Sequence, residues 1–248
     1  MNVTAKDKLI IALDVETAQE ARELFAALRD HAGMFKIGSQ LFTAAGPGIV
    51  REMIASGGRI FLDLKFHDIP HTVAAAGVEA TRLGVSIFNV HGCGGSEMMR
   101  RTAEAVAEAS LREGLARPSI IAVTLLTSAN AATLAEAGIQ TSPEELVVRL
   151  ARLADQCGLD GIVASPQEAA AIRAAISRRK FLIVTPGVRP TDSAPDDQKR
   201  FLSPAEAMRA GADYLVVGRA ILKAPDPISA AQKILQEMDH DSTVNSKP

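Results

Sequence analysis

Eight short apolar runs, separated almost from end to end by longer amphipathic stretches, constrain this chain more than any other feature. The runs cover residues 9–15, 34–38, 59–65, 86–90, 119–126, 161–164, 181–185 and 214–217. Each is apolar enough for burial on both faces, as parallel strands are. Between them apolar residues recur at spacings of three and four. In 17–29, for example, Ala18, Ala21, Leu24, Phe25 and Leu28 share one helical face. Residues 70–83, 97–113, 142–156 and 166–176 read the same way, and in TSPEEL Ser142 stands where a helix cap is needed, with Glu145 three residues on. Eightfold strand–helix alternation makes an α/β chain, and eight units suit a closed (β/α)8 TIM barrel better than an open sheet.

The 248 residues match the roughly 250 that such a barrel takes as one domain. No Pro/Gly/Ser-rich linker divides them, so one barrel domain is expected over 1–238, followed by a polar tail over 239–248. Lys and Arg number 27 against 29 Asp and Glu, and there is no Trp and one Tyr. That balance argues against a nucleic-acid partner, which needs a basic surface and often aromatic stacking platforms. Two cysteines, Cys93 and Cys157, cannot build a disulfide scaffold or a four-thiolate zinc site, and they fit a reducing compartment. No apolar run approaches the ~20 residues of a membrane span, and the start, MNVTAKDK, lacks the apolar core of a signal peptide. A cytoplasmic protein without membrane contact is the expectation.

In such barrels the active site lies at the C-terminal ends of the strands. The first run ends near Asp14, the second carries Lys36, and the third leads into DLKFHD with Asp63, Lys65 and Asp68. Asp63 and Lys65, two apart on a strand, point to one face. Singly, each charge could be a solvated loop residue. As a group, two lysines and three aspartates at one mouth need each other to be tolerated, and each sign holds the other in its charged form. The seventh run ends in TPGVRP and the eighth in VVGRAIL, placing Gly187 with Arg189 and Gly218 with Arg219 at the two strand ends where these barrels often hold a phosphate. Two longer irregular stretches, 128–141 and 188–199, sit where binding loops or lids occur.

Other residues carry less. Pro70 between His67 and His71 spoils a shared helical face for a metal pair. His91 could contact substrate or be a hydrogen-bonded structural histidine. Cys93 reads as a buried small residue rather than a nucleophile, and Met98 and Met99 as packing residues. Neither a Walker A loop nor a strand-following GxGxxG is present, so nucleoside triphosphates and dinucleotide cofactors find no support.

The block FLDLKFHDIPHT resembles the signature of the orotidine 5′-phosphate decarboxylase family, whose D-x-K-x-x-D array ends the third barrel strand. LIIALDV, FKIGSQLFTAAGP, NVHGCGG, IAVTLLTS, the stretch from TPGVRP to DQKR and ADYLVVGRAI follow the order and approximate spacing of its bacterial branch over nearly the whole chain. The resemblance implies decarboxylation of orotidine 5′-phosphate to UMP, the last step of UMP synthesis, by a homodimer with shared active sites and no cofactor or metal. It implies that Lys65 protonates C6 of the pyrimidine, that Asp63 lies near the departing carboxylate, and that Lys36 links Asp63 to the ribose. Asp68 would complete the array and, with Thr72, reach into the partner's site. Asp14 would hold a ribose hydroxyl, and Thr127 and Ser128 would meet the pyrimidine. Arg189, Gln198, Gly218 and Arg219 match the phosphate-binding and lid positions. His71, where many relatives have Asn, is the one departure.

The chemistry agrees with the residue types. Loss of the carboxylate leaves a C6 carbanion in an sp² orbital that the ring cannot delocalise. A fixed ammonium can favour that charge and then supply the proton. Binding energy from the remote phosphate could drive closure of the 188–199 loop. Two rivals differ in what they require. Metal-dependent sugar-phosphate enzymes that resemble the same array, such as 3-keto-L-gulonate-6-phosphate decarboxylase and hexulose-phosphate synthase, carry a carboxylate at the end of the second strand to bind magnesium. Here that position is Lys36, which would repel a divalent cation. A non-catalytic phosphate-ligand sensor would give no reason for Lys65 between two aspartates.

Overall fold

The computed structural model of the chain describes residues 3–178, 180–189 and 202–239. Eight parallel strands pair in sequence order and close into a barrel: β1 (Leu9–Ala12), β2 (Met34–Gly38), β3 (Ile60–Phe66), β4 (Ile87–His91), β5 (Ser119–Val123), β6 (Gly161–Val163), β7 (Leu182–Pro186) and β8 (Tyr214–Val217). The last returns to the first, with Ile10 opposite Val216. A one-turn helix α1 (Ala5–Lys8) precedes β1, and α2 (Ala18–Leu28) follows it. Next come α3 (Ser39–Ala45) and α4 (Pro47–Ala55) before β3, α5 (Pro70–Arg82) before β4, and α6 (Gly95–Glu113) before β5. Then α7 (Ala131–Glu136) and α8 (Pro143–Gln156) precede β6, α9 (Ala169–Ala175) precedes β7, and α10 (Pro204–Arg209) precedes β8. The short α11 (Arg219–Leu222) and α12 (Pro227–Asp239) complete the ring. This is the (β/α)8 barrel that the alternation of runs leads one to expect.

Side-chain alternation along the strands divides the core in two. Residues facing outward, among them Leu9, Ile11, Ile37, Leu62 and Phe88, pack against helix residues such as Val73, Met98, Met99, Val147 and Ile172. Residues facing inward, Ile10, Met34, Phe61, Ile87, Ile121, Val184 and Val216, make a separate apolar plug inside the barrel. One step further along the same inward faces stand Lys36 after Met34 and Asp63 after Phe61, so the period that builds the plug also delivers charge to the mouth above it.

Local signals set the helix starts. Ser142 caps α8, its Oγ accepting from the Glu145 N–H at 3.2 Å, with Pro143 in the first turn. Thr17 caps α2 in the same way, accepting from Glu20 N–H at 3.2 Å. Each such cap satisfies an otherwise orphaned donor and stabilises by about 1 kcal/mol.

The structure corrects several boundaries. β1 ends at Ala12 rather than residue 15, and β5 at Val123 rather than 126. Beyond β1 only the Leu13 N–H still reaches across, to Lys36 O at 2.9 Å. The stretch 128–141 is not irregular throughout: it holds α7, started by Asn130, whose side chain accepts from Thr133 N–H at 3.0 Å. Of 188–199, only Val188 and Arg189 lie within the described residues. Val188 bridges Leu202, and the Arg189 N–H donates to Leu202 O at 3.2 Å, tying the two ends of that connection together. Nearly all of the tail lies outside the described residues.

Candidate active site

A cavity of about 470 Å³ opens at the C-terminal end of the barrel, walled by residues from the ends of β1, β2, β3, β5, β6, β7 and β8. Its charged wall is a chain of ion pairs. Lys36 Nζ donates to Asp14 Oδ1 at 2.9 Å and lies 3.2 Å from Asp63 Oδ2. Lys65 Nζ donates to Asp63 Oδ1 at 2.7 Å. The four side chains alternate in sign, and the central pair is nearly sealed from water: 10% of the Lys36 side chain and 13% of that of Asp63 is exposed. Gly38 leaves the array room, since a Cβ there would stand 3.1 Å from Lys36 Nζ and 3.3 Å from Asp14 Oδ1.

Burial pushes the Lys36 ammonium toward losing its proton, but Asp63 and Asp14 outweigh that and hold its pKa above the ordinary lysine value. Burial likewise pushes the Asp63 carboxyl up, and Lys36, Lys65 and the hydrogen bond from Asn89 hold it below the ordinary carboxylate range. Both central groups are therefore charged at neutral pH.

Lys65 stands on an irregular piece of β3. Leu62 pairs with Phe88 and Phe66 with Val90, so four steps on β3 face two on β4. Within this bulge Lys65 takes φ 52°, the one positive φ among the described non-glycine residues. Buried Asn89 lies beside it, accepting from the Lys65 backbone N–H and donating to Asp63 Oδ1, both at 2.7 Å. Asn89 opens the NVHGCGG block, but nothing in the block assigned it a role; the one further signal was its position as a polar residue in an otherwise apolar run.

The same cavity is lined by Gly187, Arg189, Gly218 and Arg219 together, as their places after β7 and β8 lead one to expect. Gly187 takes φ 77°, which favours glycine, and Arg189 is buried. Thr127 lines the cavity and Ser128 does not. Gln198 lies outside the described residues.

Asp68 and Thr72 do not join the array within this chain. Both are exposed and off the cavity wall, and Asp68 Oδ1 accepts from the Ile69 N–H at 2.6 Å. His91 is off the cavity wall; its Nδ1 is buried without a hydrogen-bond partner, and its ring stacks on His67 with centroids 5.3 Å apart. Burial, then His67 and Lys65, push its pKa down. Cys93 is exposed, not buried as its small size suggested, because it sits in the 3₁₀ turn that carries the chain out of β4. Met98 and Met99 are fully buried, as expected. Among the described residues no group of three or more His, Cys, Asp or Glu could hold a metal ion, and no helix is long and apolar enough to cross a membrane.

Comparison with known proteins places these features. The sequence pattern of the "Orotidine 5′-phosphate decarboxylase / HUMPS family" matches residues 7–234. The orotidine 5′-phosphate decarboxylase of Geobacter sulfurreducens is 54% identical over 234 residues, covering 94% of this chain and 97% of that one. That of Geotalea daltonii is 52% identical over 234 residues, with the same coverage. Among solved structures, the orotidine 5′-phosphate decarboxylase of Lactobacillus acidophilus superposes with a TM-score of 0.82 at 33% identity, over 93% of this chain and 98% of that one.

Proposed function

The chain belongs to the orotidine 5′-phosphate decarboxylase / HUMPS family, and from that premise we infer that it converts orotidine 5′-phosphate to UMP and carbon dioxide, closing UMP biosynthesis. The observation that carries this reading is the place of Lys36. Its ammonium fills the gap between Asp14 and Asp63, where a sugar-phosphate enzyme of this family would need a carboxylate for magnesium. A cation site there would set a divalent ion against a buried lysine whose charge two carboxylates sustain.

The geometry supports a division of labour across the cavity. Arg189 and Arg219, with the backbone at Gly218, hold the phosphate, and Gln198, outside the described residues, serves the same group. Asp14 and Lys36 hold ribose hydroxyls, and Thr127, with Ser128 next to it, meets the pyrimidine. The substrate carboxylate lies beside Asp63 and Lys65. As the C6–carboxylate bond breaks, its electron pair stays on C6 and carbon dioxide leaves. The Lys65 ammonium stabilises that charge electrostatically and transfers one proton to C6, becoming a neutral amine that solvent reprotonates. No electron sink is needed, because the pair is quenched where it forms.

The functional unit is a homodimer in the cytoplasm. Support for the dimer comes from Asp68 and Thr72, which are exposed at the start of α5 and leave their own cavity. Asp68 completes the Lys-Asp-Lys-Asp array in the partner's site, and Thr72 accompanies it. The test of the reaction is the loss of ultraviolet absorbance of orotidine 5′-phosphate with purified protein, with and without EDTA. Turnover unchanged by EDTA is expected. No turnover, or turnover of sugar phosphates only with magnesium, would overturn the reading.

A further inference from the structure

We propose that Asn89 is a positioning residue for the decarboxylation, setting the backbone of Lys65 and one oxygen of Asp63 in a single geometry; this rests on the reaction proposed above. A lysine at φ 52° occupies a region that a residue with a Cβ enters only when its surroundings hold it there. At Lys65 the surroundings are specific. The bulge in β3 takes residues 63–65 out of register with β4, leaving the Lys65 N–H without its regular ladder partner, and the Asn89 side-chain oxygen accepts it at 2.7 Å. The amide nitrogen of the same side chain donates to Asp63 Oδ1, also at 2.7 Å, the oxygen that accepts from Lys65 Nζ. One rigid amide thus reads both ends of the Asp63–Lys65 unit: the main chain from which the ammonium projects and the carboxylate that receives it.

Asn89 suits this work because it is closed off and neutral. It is 1% exposed, so water does not replace either bond when one is removed. A planar amide offers an acceptor and a donor side by side, whereas a carboxylate offers acceptors only. The groups facing it are Asp63 and Lys65 from β3, with Lys36 from β2 behind Asp63 and His91 two residues along its own strand. A carboxylate at this position would stand against Asp63, and an apolar side chain would leave the Lys65 N–H and Asp63 Oδ1 each short of a partner. In either case the array loses the reference that fixes where the Lys65 ammonium points. The phosphate wall, on β7 and β8, does not touch Asn89, so the consequence falls on the chemical step and not on ligand binding.

Two variants test the proposal: Asn89→Leu, which removes both bonds at similar volume, and Asn89→Asp, which keeps the shape and the acceptor for Lys65 while losing the donor to Asp63. Each is assayed at pH 8 for turnover of orotidine 5′-phosphate and for UMP binding by calorimetry, which counts intact sites. Both are expected to lower kcat by about 100-fold, the scale of an ångström-sized misplacement of a reacting group. UMP should still bind one per chain with Kd within about threefold of wild type. Turnover within about threefold of wild type in either variant would overturn the proposal. So would loss of UMP binding in both, since Asn89 would then be a structural residue. Wild-type protein that binds UMP but leaves orotidine 5′-phosphate intact would instead remove the reaction on which the proposal rests.

Discussion

Replacing Lys36 by methionine should cost the fold about 3 kcal/mol at neutral pH, because it strands a buried carboxylate. The stem's packing is retained, so the change isolates the charge. At 3.2 Å from Asp63 Oδ2, an ammonium contributes about 5 kcal/mol of attraction at an effective dielectric near 20. The desolvation of the ammonium itself, which opposes its burial, offsets part of this. Asp63 also keeps two donors, Lys65 Nζ and Asn89 Nδ2, each at 2.7 Å. The net loss therefore sits at the low edge of the ~3–5 kcal/mol that breaking a buried pair costs. Its pH dependence has a definite sign. Asp63 has a depressed pKa in the fold, so its contribution is present above the ordinary carboxylate range and is lost as pH falls through the depressed value. Lys36 has a raised pKa, so its contribution is complete below the ordinary lysine value and is lost as pH rises through the raised one. Urea denaturation should then show a constant deficit between about pH 5 and pH 9, shrinking below about pH 4. Adding Asp63→Asn to Lys36→Met should restore more than half of the deficit, a coupling of at least ~1.5 kcal/mol. A methionine variant as stable as wild type at pH 7, or one whose deficit does not shrink as pH falls progressively below the ordinary carboxylate range, would refute the electrostatic account.

Mixing Lys65→Ala with Asp68→Ala chains, each inactive alone, should restore up to about a quarter of wild-type activity, because half of randomly paired dimers carry one intact site. Activity that stays at the level of the separate variants would show that Asp68 does not cross between subunits. Arg189→Ala and Arg219→Ala should each lower kcat/KM by about 10- to 150-fold, as the loss of a hydrogen bond to a charged group does; steady-state kinetics unchanged in both would move the phosphate elsewhere. Ser142→Ala should lower stability by about 1 kcal/mol without touching turnover, and thermal unfolding reads the difference.

The barrel was readable because burial imposes a period: parallel strands buried on both faces leave apolar runs, and all eight observed strands overlap the eight runs. Boundaries were less so at the mouth. The apolar Leu13 and Val15, and likewise Leu125 and Leu126, continue the pattern after the ladder has ended, since composition does not record the loss of a pairing partner. The short helices α3, α7 and α11 carry too few turns for a periodic signal. In the site, Lys36, Asp63 and Lys65 could be placed on one wall from strand spacing alone. The role of Asn89 could not, because it depends on a bulge between Leu62 and Phe66, and a register shift leaves no mark in the alternation of residue types. Asp68 and Thr72 show the same limit at the next level: their place in the motif puts them near the array, yet in the fold both are exposed and off the cavity wall.

Whether Lys65 delivers the proton is the central claim, and turnover of orotidine 5′-phosphate by Lys65→Ala, beside its affinity for UMP, tests it most directly. The account predicts turnover below detection, with UMP bound within an order of magnitude of wild type, since Arg189 and Arg219 hold the phosphate. A Lys65→Ala protein that still releases carbon dioxide at a substantial fraction of the wild-type rate would contradict it.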